Sequence, residues 1–79
     1  MEVKTFTIHL GGEKLNDFII GRISGLIDAF TGMPNKGYAM WSFGRGQKIR
    51  FDATEDQLNM IEDAISKCYF GVIDWTITE

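Results

Sequence analysis

The spacing of apolar residues switches from alternate positions to helical steps and back, twice, within 79 residues, and this limits the ways the chain can fold. From Val3 to Leu10 the residues alternate, Phe6, Ile8 and Leu10 on one side and Val3, Thr5, Thr7 and His9 on the other, as in a half-buried strand. Gly11 and Gly12 end it. Leu15, Ile19, Ile23, Leu26 and Phe30 then follow helical spacing. Thr31-Gly32 closes that helix, and Pro34 blocks its resumption. Tyr38 to Phe43 and Lys48 to Asp52 read as strands, with Gly44-Arg45-Gly46 as a short hairpin between them. Thr54 and Gln57 form a capping box that starts a second helix, with Glu55 and Asp56 at its positive end. Leu58, Ile61, Ile65 and Cys68 supply its buried stripe. After Gly71 the alternation returns over Val72 to Thr78, with Ile73, Trp75 and Ile77 on one face.

The expected order is therefore strand, helix, strand, strand, helix, strand. Right-handed crossovers place both helices on one face of a four-stranded antiparallel sheet of order 4-1-3-2. This arrangement resembles the ferredoxin-like βαββαβ sandwich, an α+β fold that hosts many functions and implies none. With no repeat or linker, residues 1–79 read as one domain. The single cysteine excludes an internal disulfide, so stability rests on an apolar core drawn from the 44% of apolar residues. No apolar run approaches the roughly 20 residues a membrane span needs, and the start lacks a signal-peptide pattern. A cytoplasmic protein without membrane contact is the expectation. A chain this small buries only about 60 to 65% of its unfolded surface, which leaves little room for a deep cleft.

The alternation assigns Val3, Thr5, Thr7, His9, Lys48, Arg50, Asp52, Val72, Asp74 and Thr76 to a mostly polar open face. In Tyr38 to Phe43 either Ala39, Trp41 and Phe43 or Tyr38, Met40 and Ser42 can point inward, and the first set, with Trp41 inward, is favoured. The RNA recognition motif shares this element order. Its signature is not met, because Gln47 to Asp52 lacks the outward aromatic residues on which bases stack.

Charge separates along the chain. Residues 36–50 carry Lys36, Arg45, Lys48 and Arg50 without an acid, and residues 52–63 carry Asp52, Glu55, Asp56, Glu62 and Asp63 without a base. The basic hairpin is a candidate surface for phosphate or an acidic protein patch, and the acidic helix, through Glu55, Asp56, Glu62 and Asp63, for a basic partner. The plainer reading is that both are solvated surfaces serving solubility and capping. One His and one Cys on different elements give no zinc site. Cys68 on an apolar stripe is expected to be a buried hydrophobe, and His9 has no carboxylate placed to make it a general base. The apolar arc of the first helix, widened by Ile20 and Ile27 to about 200°, either packs against the second helix or forms a dimer edge. Gly21 and Gly25 would relieve crowding on its border.

These features favour a small non-catalytic protein-binding module, an adaptor or an inhibitor that occupies the surface of an unidentified larger partner. Its form is monomer or homodimer, and it uses no cofactor or metal. A phage-type inhibitor of a nucleic-acid-handling machine would fit the acidic helix. The other classes are a nucleic-acid binder using the basic hairpin, disfavoured by a net charge of −3, and a small dimeric enzyme with an interfacial site.

Overall fold

A computed structural model describes residues 2–32, 38–40 and 47–79. The elements are β1 (Lys4–Gly11), α1 (Asp17–Thr31), β2 (Tyr38–Met40), β3 (Gln47–Ala53), α2 (Glu55–Tyr69) and β4 (Asp74–Thr78). β1 pairs antiparallel with β3, Phe6 opposite Phe51 and Ile8 opposite Ile49, and with β4, Ile8 opposite Ile77 and Leu10 opposite Trp75. Residues opposite each other share a face, so Phe6, Ile8, Leu10, Ile49, Phe51 and Ala53 form one apolar layer. Each is almost fully buried. Ile19, Ile20, Ile23 and Ile27 of α1 and Ile61 and Ile65 of α2 complete the same core, so both helices cover one face.

The full four-stranded ferredoxin-like sandwich expected from the sequence is corrected here. The complete layer is a three-stranded antiparallel sheet, β3-β1-β4, carrying two helices in an α+β fold. Three rungs of β2 extend it to the order β2-β3-β1-β4. Among the described residues β2 pairs with Gln47 to Ile49, the first three residues of β3. The pairing runs from Tyr38 opposite Ile49 to Met40 opposite Gln47, and the expected Gly44-Arg45-Gly46 hairpin lies outside the described residues. The choice between Ala39, Trp41 and Phe43 and Tyr38, Met40 and Ser42 as the inward set falls on side chains outside the described residues.

The helix ends are set by local chemistry. Asn16 caps α1, its side chain accepting from Ile19 N at 2.9 Å, and Gly32 N–H donates to Asp28 O at the other end. The Thr54–Gln57 capping box is present in both directions: Gln57 N–H donates to Thr54 Oγ1 at 3.2 Å, and Thr54 N–H donates to Gln57 Oε1 at 2.8 Å. Burial corrects the stripes. On α1 the buried set is centred on Ile20, Ile23 and Ile27, with Leu26 and Phe30 at its border. The wide apolar arc is thus filled internally, and Ile20 and Ile27, 5% and 0% exposed, offer no dimer edge. On α2 the stripe runs Ile61, Ile65, Tyr69 in steps of four, so Cys68, expected inside, is exposed. Gly21 and Gly25 are exposed, and a Cβ at either would meet nothing within 4 Å; they relieve no crowding.

Two stability outcomes follow. Gly21→Ala and Gly25→Ala should each raise unfolding free energy by about 0.5 to 1 kcal/mol, because alanine is the better helix former and the space is open. Phe51→Ala, emptying the centre of the sheet layer, should cost about 3 to 5 kcal/mol. Urea unfolding followed by circular dichroism measures both.

Candidate functional site

The structure splits the charged residues between opposite sides. Lys48 and Arg50 stand on the open face of β3, opposite His9 and Thr7 of β1, and β4 adds Thr76 and Thr78 to the same rungs. Among the described residues this face has no helix over it, and it is mostly polar, with Val3 exposed at its edge. Thr5 Oγ1 donates to Asp52 Oδ1 at 2.6 Å, and His9 Nε2 lies 3.3 Å from Thr78 Oγ1. His9 is thus flanked by Lys48 and Thr76, and Val72, expected on this face, sits in the turn before β4. Lys36 and Arg45 lie outside the described residues, so the structure shows only the Lys48 and Arg50 half of the basic hairpin.

The acidic residues occupy the solvent side of α2. At about 100° per residue, Glu62, Glu55, Asp63 and Asp56 fall within an arc of about 120°, and all are exposed. Two have cationic partners. Lys4 Nζ lies 3.5 Å from Glu55 Oε1 and 3.8 Å from Glu79 Oε1, and Lys67 Nζ lies 3.0 Å from Asp63 Oδ2 one turn away. Glu79, then Glu55 and Glu2, hold the Lys4 ammonium pKa above its ordinary value. Such exposed pairs add little stability, but they reduce the field of the stripe. Asp56 and Glu62 carry its uncompensated charge among the described residues.

A surface that charge counting did not find lies where the β1–α1 connection meets the α2–β4 connection. Gly12, Glu13 and Lys14 face Phe70, Gly71, Val72, Ile73, Asp74 and Trp75 across an open groove of about 590 Å³. Phe70 is 81% exposed and Val72 37%, whereas Ile73 is buried and Trp75 half-buried against the core. Large apolar side chains this exposed leave contact area that water covers at a cost. The groove depends on two glycines. Gly71 takes φ 79° two residues after Tyr69, the last of α2, turning the chain towards β4. Gly12 takes φ 113°, and a Cβ there would sit 3.5 Å from Asp74 N and Ile73 Cα, so its backbone lies close along the start of β4. Lys14 carries the only cation of the described lining, beside Glu13 and Asp74. In the sequence this site shows only as an apolar pair, Phe70 and Val72, around a helix-ending glycine.

Among the described residues no three His, Cys, Asp or Glu side chains come together as a metal-binding group, and no helix is long and apolar enough to cross a membrane. No protein-family model matches the chain, and no curated protein does. Among solved structures it is similar to a protein of Thermus thermophilus described as a PII-like signaling protein, with TM-score 0.62 and 11% identity over 99% of this chain and 88% of that one. At that identity the likeness concerns the fold alone, small, α+β and shared over nearly the whole chain.

Gly12→Ala tests the groove's construction. Alanine is strained at φ 113°, so the variant should lose about 1 to 3 kcal/mol of stability, measured by thermal unfolding. A loss no larger than that of an exposed surface substitution would show that the turn relaxes.

Proposed function

We propose that this chain is a small non-catalytic binding module that holds a protein partner in the groove between the β1–α1 and α2–β4 connections. The observation that carries this reading is Phe70, 81% exposed beside Val72 and Trp75 in a concave surface. Aromatic residues in such settings are the common anchors of protein interfaces. Ile73 supplies an apolar floor, and Lys14, Glu13 and Asp74 a polar rim that can orient a partner. The description of the similar structure as a signaling protein agrees with a binding role. It lends nothing to the narrower reading of a phage-type inhibitor.

A second surface is the acidic arc of α2, which would suit a basic partner through Asp56 and Glu62, with Glu55 and Asp63 as compensated neighbours. The groove is favoured because its apolar area supplies binding free energy that solvated carboxylates do not. Binding of nucleic acid through Lys48 and Arg50, with Lys36 and Arg45, would use the open sheet face instead.

Affinity enrichment from extract with four baits separates these surfaces. The wild-type chain should retain a partner that Phe70→Ala loses at least tenfold and that the double variant Glu62→Lys, Asp63→Lys keeps. Phe70→Ala should leave stability within about 0.5 kcal/mol, as surface substitutions do. Loss of the partner with the charge reversal alone would move the interface to α2, and loss with Lys48→Glu, Arg50→Glu alone would move it to the open face.

A further inference from the structure

We infer that β4 is the seam of a homodimer, in which β4 of a second copy pairs antiparallel with β4 and brings Ile77 and Glu79 of that copy to the open side of the groove. β4 lies at the end of the order β2-β3-β1-β4, and its outer side has no neighbouring strand among the described residues. An unpaired edge is a template for another strand, and proteins that must keep an edge free guard it with proline, lysine, a bulge or a covering element. Asp74-Trp75-Thr76-Ile77-Thr78 contains no proline and no cation, and its ladder with β1 is regular over all five residues. Four of the five are aromatic or β-branched, the types that favour strands.

The strand is also complementary to itself. Opposite residues of an antiparallel pair share a face, so only registers centred on a residue are allowed. The one centred on Thr76 pairs all five residues of β4 with all five of the second copy. It sets Asp74 opposite Thr78, Trp75 opposite Ile77 and Thr76 opposite Thr76. No like charges meet. Trp75 and Ile77, both half-buried against the core, meet on the helix side and cover each other's remaining surface. On the open side the Thr78 hydroxyl, 3.3 Å from His9 Nε2, is placed to donate to Asp74 of the second copy. Shifting the centre to Trp75 pairs residues beyond the strand's start, and shifting it to Ile77 puts Trp75 against Glu79. In the Thr76-centred register Ile77 of the second copy stands beside Trp75 and Glu79 of the second copy beside Ile73, and both Trp75 and Ile73 line the groove. The second copy thereby becomes a wall of that site. The seam does not rest on a protein partner being bound in the groove, and it is tested on the purified chain alone.

Sedimentation equilibrium of the purified chain from micromolar to millimolar concentration should show the mass rise from 9.0 kDa towards twice that value. Thr76→Lys places two ammonium groups opposite each other and should return the mass to that of one chain at every concentration. In a Cys68→Ser background, Thr76→Cys should form a disulfide-linked dimer in oxidised glutathione at least tenfold faster than Asn59→Cys on the exposed side of α2. Directly opposed strand residues have Cα atoms about 4.5 to 5.5 Å apart, within the range a disulfide spans. A constant mass of one chain up to millimolar concentration, or crosslinking at residue 76 no faster than at residue 59, would overturn the seam. So would a chain that stays monomeric while the Thr76→Lys variant loses binding of an extended peptide, since the edge would then serve a partner strand.

Discussion

Every layer of the molecule takes its position from β1. It is the strand paired along most of its length on both sides, by β3 and by β4, and its alternate residues Phe6, Ile8 and Leu10 are 4%, 0% and 1% exposed. Because side chains alternate with a period of two, a slip of one residue would turn these three to water and bring Thr5, Thr7 and His9 inward. The register of β3 is tied to this choice through the Phe6–Phe51 contact, with ring centroids 6.0 Å apart, and that of β4 through Ile8 and Ile77. Once the apolar side of β1 is set, both helices must cover it, and the other side becomes the open polar face.

That much was readable from residue spacing, because alternation and helical steps are properties of the buried faces themselves. The ends of α2 were readable too, since Thr54 and Gln57 need only each other. Spacing shows that a helix has an apolar side without fixing its centre. Of the five positions from Leu15 to Phe30, Ile19 and Ile23 are buried, while Leu15, Leu26 and Phe30 only border the α1 stripe, because what decides burial is where α2 and the sheet stand. The same holds for Cys68 and Tyr69: both extend the α2 pattern, and the step of four from Ile65 takes Tyr69 towards the core. The strand reading of Tyr38 to Phe43 is met at Tyr38 to Met40, and residues 41–43 lie outside the described residues.

The candidate site was less readable than the fold for a related reason. Charge counts along the chain are correct as counts and incomplete as electrostatics. Lys4, distant in sequence, stands beside Glu55, and Lys67 reaches back to Asp63, so two of the four acids on α2 face cations that a window over residues 52–63 does not contain. The groove is drawn from two connections remote in sequence, and no window holds both. Gly12 and Gly71 mark it, but a glycine after a strand or a helix reads first as a terminator. Their positive φ, and with it the closeness of the two connections, becomes visible only in three dimensions.

A sheet this narrow cannot bury its edges as well as its face. β2 shields the β3 edge over three rungs, and the helices are committed to the core, so nothing in the described chain is left for β4. The segment that begins this exposed edge is also the one that leaves Phe70 and Val72 in water, because α2 ends at Tyr69 and the chain must turn at Gly71 before it can join β1. Exposed backbone donors and acceptors and exposed apolar side chains therefore occur side by side, and both come from the same short connection. Relieving either alone leaves the other cost in place. An occupant lying along β4 and reaching the groove would satisfy hydrogen-bonding groups and cover apolar surface in one contact, which is the physical ground for proposing association at this end of the molecule instead of at its more highly charged surfaces.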